Sequence, residues 1–139
     1  MHIFCSDEAS LPIKSYSPEL IVHPVLVTEA GWLRIGGASD AAARLECVHR
    51  ATKHIEDMFP RLNSLVVGPG LGRDPLMLDI AAEVMVCARR YRMPFVVDGD
   101  GLFLISQVGS IMDVNICFFV FQLTGVSPIS DQILWRGMS

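Results

Sequence analysis

With 139 residues, 51% of them hydrophobic and 19% charged, the chain is too apolar for a disordered segment and suits one domain or a piece of a larger one. A formal net charge of -4 gives no support for nucleic-acid binding. The four cysteines, Cys5, Cys47, Cys87 and Cys117, lack C-x-x-C spacing, which points away from a zinc site or a disulfide framework and towards a reducing compartment.

In chain order, residues 2–5 read as a short strand, followed at once by Asp7 and Glu8, so no cleavable leader is expected. The polar stretch 13–19 is broken by Pro12 and Pro18, and residues 20–27 form a second apolar run interrupted at Pro24. Residues 31–39, with Gly36-Gly37, read as a loop. Ser39 or Asp40 can then cap a helix whose apolar stripe is Leu45, Val48, Thr52, Ile55 and Phe59, with Arg44, Arg50, Lys53 and Asp57 mainly opposite; Pro60 ends it.

The most informative stretch follows. Leu65-Val-Val is apolar on successive residues, as a parallel strand covered on both faces would be. It stops in Gly68-Pro-Gly-Leu-Gly72, and Asp74-Pro75 is a strong helix start: the carboxylate accepts from orphan amides, and proline has none to lose. The helix should run to about Tyr91, with Leu76, Ile80, Val84, Cys87 and Tyr91 on one stripe and Arg89 and Arg90 suiting the negative end of the dipole. Phe95-Val-Val repeats the pattern, ending in Asp98-Gly-Asp-Gly101, with Asp100 as the expected cap of a helix over 101–107. Beyond Val108 the pattern loses definition. The apolar run at 116–121 is a candidate buried strand, far shorter than the roughly 20 residues a membrane span requires.

Strand, glycine turn and helix, repeated, is the grammar of β-α-β units, whose ligands bind beyond the carboxyl ends of the strands. That places Gly68, Gly70, Gly72, Asp98 and Asp100 on one edge. Two readings of each feature stand side by side. The glycine turn is either a tight connection or a ligand cradle, although Pro69 removes one backbone donor for a phosphate. Asp98 and Asp100 are either turn and helix caps or hard oxygen donors for magnesium, and Asp98 also matches the acidic residue that holds a ribose hydroxyl in dinucleotide folds. Arg73 beside the turn is a candidate contact for an anion, or simply solvated. His49 and His54 do not share a helical face, so metal binding there is not expected; His2 and His23 read as isolated.

Four ordered blocks carry a resemblance. Met1-His-Ile-Phe-Cys5, Ile13-Lys-Ser-Tyr-Ser-Pro-Glu-Leu-Ile-Val-His-Pro-Val-Leu26, Leu65-Val-Val-Gly-Pro-Gly-Leu-Gly-Arg-Asp74 and Val96-Val-Asp-Gly-Asp-Gly-Leu102 resemble the ATP- or ADP-dependent NAD(P)H-hydrate dehydratases, most closely the eukaryotic ATP-dependent form. The similarity runs over residues 1–26 and about 60–107. It implies a ribokinase-like α/β fold, here an incomplete parallel sheet with flanking helices. It also implies repair of the (S) hydrate of NADH or NADPH, with ATP and magnesium phosphorylating the hydroxyl before water is eliminated. By that resemblance Gly68, Gly70 and Gly72 lie beside the hydrated nicotinamide, and Asp98 and Asp100 belong to the family's Asp-Ala-Asp-Gly turn, with Gly99 in place of alanine. Tyr16 and His23 match family positions without an assigned role.

Residues 27–58 look like an expanded family connection, tolerable as a surface insertion. Over 108–139 the family's Thr-Pro-Asn-x-x-Glu-Phe, Lys-Gly and Gly-Gly-x-Gly-Asp segments are not matched, so residues 1–107 read as a partial domain and the remainder as a divergent tail. The chain alone is therefore expected to lack turnover, since the Gly-Gly-x-Gly-Asp segment carries the base and the anion hole. The alternative to an enzyme is a non-catalytic nucleotide-binding or interaction product of a truncated or misassembled gene. The expected partner is a small-molecule nucleotide, with no nucleic acid and no membrane, and with homo-oligomer formation through open sheet edges. Residence would be cytoplasmic or mitochondrial.

Overall fold

The computed structural model describes residues 1–37 and 40–107. The tail at 108–139, with its strand candidate at 116–121 and Cys117, lies outside the described residues, as does Ser39. What is described is α/β, built from two parallel β-α-β units with two helices between them.

In the first unit β1 (His2–Ser6) pairs in parallel with β2 (Ile21–Leu26), with Phe4 opposite His23. The register shifts between Cys5 and Ser6, next to the point where Cys5 faces Pro24, a residue with no amide to give the ladder. The crossover is α1 (Asp7–Tyr16), where the sequence had suggested an interrupted polar stretch. Asp7 and Glu8 suit its positive end, and Pro12 inside it removes one intrahelical donor on a helix that buries no residue.

α2 (Glu29–Arg34) and α3 (Ala41–Glu56) come next. α2 corrects the loop expected over 31–39. Thr28 caps it, its hydroxyl accepting from the Gly31 amide at 3.0 Å. Asp40 caps α3 by accepting from Ala43 at 2.8 Å. The buried face of α3 is Cys47, Val48, Ala51, Thr52 and Ile55, so the second half of segment 27–58 is core rather than a surface excursion. Leu45, expected on that face, is 69% exposed. A short 3-10 turn, Phe59–Arg61, leads towards the second unit and buries Phe59.

There β3 (Leu65–Val67) and β4 (Phe95–Val97) pair in parallel and in direct register. The crossover is α4 (Pro75–Arg90), and α5 (Asp100–Gln107) follows β4. Leu76, Ile80, Val84 and Cys87 are buried as their spacing requires, and Met77, Ala81, Met85 and Ala88 widen the stripe. Tyr91 falls outside it, exposed but with the Phe59 ring edge-on at 5.4 Å. α4 ends in a Schellman pattern, with Met93 donating to Ala88 and Arg92 to Arg89, both at 2.9 Å. The left-handed residue is Arg92 (φ 52°), where glycine is usual.

The core lies between α3, α4 and one face of the second sheet, joining Leu65, Phe95 and Val97 to the helix stripes. Burying Leu76 or Ile80 completely is worth roughly 1.5–3 kcal/mol each. The opposite face of that sheet leaves Val66 66% exposed. Arg44 ties the helices together at the surface, donating to Asp79 of α4 at 2.7 and 3.0 Å and lying 3.4 Å from Glu29 of α2. Among the described residues no helix is long and apolar enough to cross a membrane.

Candidate functional site

The direct register of β3 and β4 brings their carboxyl ends level, so the turns that follow face each other. The ladder continues one step past the strands, with the Asp98 amide donating to the Val67 carbonyl at 3.0 Å. Gly68-Pro-Gly-Leu71 then closes as a type II turn: Leu71 donates to Gly68 at 2.9 Å, proline occupies the second position, and Gly70 takes φ +68° at the third.

The two turns interlock. Gly68 has φ +122°, and a side chain there would overlap the Asp98 carbonyl oxygen and crowd the Gly101 backbone. Reciprocally, a Cβ on Gly101 would stand 2.7 Å from both the Val67 carbonyl oxygen and a Val97 methyl group. Gly70 and Gly72 (φ +74°) behave differently, because nothing lies within 4 Å of where their side chains would begin. One end of the glycine turn is thus locked, and the rest presents open backbone.

The two aspartates are used within the protein. Asp98 Oδ1 accepts from the Gly99 amide at 2.7 Å. Asp100 is the first residue of α5 rather than its preceding cap, and its Oδ2 reaches across to accept from the Gly72 amide at 3.0 Å. Its Oδ1 lies 3.9 Å from Nε of Arg73, whose guanidinium sits 4.5 Å over the Phe103 ring. Both aspartates thus serve the turns, Asp98 through Oδ1 and Asp100 through Oδ2. Among the described residues no group of three His, Cys, Asp or Glu side chains is arranged to hold a metal ion.

Asp74 does more than the sequence suggested. Its Oδ1 accepts from Leu76 and Met77 at the start of α4, both at 3.1 Å. The same carboxylate also accepts from the Glu29 amide of α2, at 3.0 and 3.1 Å. One side chain therefore holds two helix starts beside the glycine turn, and the second contact, 45 residues away, leaves no local signal in the sequence.

Of the five residues picked from the sequence, Gly68, Gly70, Gly72 and Asp98 lie in the two facing turns and Asp100 opens α5 beside them. The histidines correct the expectation of isolation. His2 Nδ1 and His23 Nε2 are 2.9 Å apart, and the His23 ring stacks on Phe4 and lies 6.4 Å from that of His54. Burial, reinforced by His2 and His54, lowers the His23 pKa from its ordinary value. Tyr16 is 87% exposed. Cys5, Cys47 and Cys87 are buried free thiols, and burial raises the pKa of Cys5 and Cys87.

The chain is similar to proteins of one family. The profile of a family described as NAD(P)H-hydrate dehydratase matches residues 1–115, a stretch that includes 27–58. Proteins named ATP-dependent (S)-NAD(P)H-hydrate dehydratase are similar over 106 residues, 76% of this chain. The identity is 46% for that of Schizosaccharomyces pombe, 43% for Arabidopsis thaliana and 44% for Rattus norvegicus, each over 106 residues. The aligned part spans 29%, 28% and 25% of those relatives, respectively.

Proposed function

Because this chain belongs to the NAD(P)H-hydrate dehydratase family, we propose that its facing turns form a wall against which a hydrated nicotinamide dinucleotide is held for ATP-dependent dehydration. The observation that carries this reading is the open backbone at Gly70 and Gly72 beside the locked joint of Gly68 and Gly101. A flat ring can approach a main chain without side chains closely, and the joint keeps that surface in place. Arg73, held over Phe103, offers a cation to the substrate's phosphates. Asp98 and Asp100 act on the ligand through the turns they shape.

The relatives are named ATP-dependent; in this reading ATP supplies the phosphoryl group that turns a hydroxyl into a leaving group. Magnesium enters with ATP rather than through Asp98 and Asp100. Binding and orientation are the part of the reaction assigned to these residues; proton removal and phosphate stabilisation are assigned to none of them.

Titration of the full 139-residue chain with (S)-NADH hydrate, followed by calorimetry, tests the reading. Saturable binding is expected, weakened at least about tenfold by Gly70→Val, which places a branched side chain on the open surface. No heat of binding, or equal affinity in the variant, would overturn it. Return of NADH absorbance with ATP and magnesium would assign turnover to the chain as well. A second reading, self-association through open sheet edges, is favoured by the two-stranded sheets, whose strands each have a neighbour on one side alone among the described residues. Concentration-independent sedimentation as a monomer would rule it out.

A further inference from the structure

We infer that Asp100 is a positioning residue, which fixes the glycine turn from the first turn of α5 and contacts neither ligand nor metal. The inference rests on the reading of that turn as the nicotinamide-hydrate surface. One end of the turn is fixed by the packing of Gly68 against Asp98 and Gly101, and the other by Asp74 capping α4. Between them lie two glycines with positive φ, the residue type with the most backbone freedom to lose on ordering. The Leu71 amide donates to Gly68 within the turn, and its side chain packs against the core, which leaves 72–73 as the part held from α5. The contacts that reach 72–73 from another element come from α5: Asp100 Oδ2 on the Gly72 amide at 3.0 Å, Asp100 Oδ1 facing Arg73 at 3.9 Å, and the Phe103 ring under the Arg73 guanidinium.

The contacts of this carboxylate are with the turn itself: Oδ2 accepts from the Gly72 amide, a charge-assisted bond, and Oδ1 faces the Arg73 guanidinium. Its contribution is to select one conformation of residues 70–73, so that the open surface exists before the substrate arrives. Preorganisation of this kind strengthens binding without a direct contact.

Asp100→Ala and Asp100→Asn in the full chain separate this role from the others. Amide hydrogen exchange at Gly72 is expected to quicken about tenfold in the alanine variant, the size of one lost hydrogen bond, and to stay within about threefold in the asparagine variant, which keeps an acceptor. Affinity for NADH hydrate should follow the same order, with the urea midpoint of Asp100→Ala lowered by no more than that one bond. Unchanged exchange at Gly72 in Asp100→Ala would overturn the inference, as would an equal quickening at the buried amides of α4, the mark of a general loss of stability. Asparagine weakening binding as much as alanine, with exchange preserved, would assign Asp100 to the ligand instead. If the unsubstituted chain fails to bind the hydrate, the functional reading falls, while exchange at Gly72 still decides whether Asp100 holds the turn.

Discussion

The units β1-α1-β2 and β3-α4-β4 share one topology, yet α1 buries no residue and α4 buries eight. α4 has α3 and the sheet on its apolar stripe, whereas α1 leaves Leu11 and Tyr16 exposed. Topology alone therefore contributes little; what fixes a unit is the surface its crossover helix covers. The site lies on the unit with the buried helix, where the turns inherit the rigidity of the core beneath them.

The largest expected effect tests that inheritance directly. Gly68→Ala forces a side chain into the Asp98 carbonyl at φ +122° and should cost more than ~4 kcal/mol, read from urea denaturation. Gly70→Ala meets no atom and should cost only the ~1–2 kcal/mol of a left-handed backbone. Equal losses would mean that the joint is looser than described.

Next in size is the contrast between the two crossover helices. Ile80→Ala empties a fully buried position and should destabilise by ~2–5 kcal/mol. Leu11→Ala on α1 should stay within ~0.5 kcal/mol in the same denaturation series. A large loss at Leu11 would show that α1 is packed after all.

The smallest effect belongs to the first sheet and depends on pH. The folded chain lowers the His23 pKa below its ordinary 6.5, so the unfolded chain binds the extra proton more readily. His23 thus contributes stability in full above about pH 6.5, and that contribution fades as pH falls through the lowered value. Denaturation at pH 7.5 and 5.5 should show this acid loss reduced in His23→Gln. An unchanged loss would move its origin elsewhere.

Legibility in the sequence followed the same division. Asp74-Pro75 and the stripe Leu76, Ile80, Val84, Cys87 were readable because cap and period sit within one helix, and burial is settled by that same helix's packing. α1 was hidden by Pro12 and by the lack of any buried face to impose a period. α2 was hidden by its six-residue length and by Gly31 inside it. Leu45 is hydrophobic yet exposed, because the face that meets α4 uses the small Cys47 and Ala51 beside Val48 and Ile55, a matter of fit that hydrophobicity does not report. The clustering of Gly68, Gly70, Gly72, Asp98 and Asp100 at one sheet edge was legible from strand ends and glycines. The Asp100 to Gly72 bond, the second helix on Asp74 and the His2-His23-His54 cluster were not, because each joins elements that are distant in the chain.

The joint between Gly68 and Gly101 also sets a timescale. Because neither turn has room to move past the other, separating them requires parting β3 from β4, an event as rare as unfolding of the surrounding core. Release of Gly72 from Asp100, by contrast, breaks one hydrogen bond and leaves the strands paired, so of the two openings it is the more frequent.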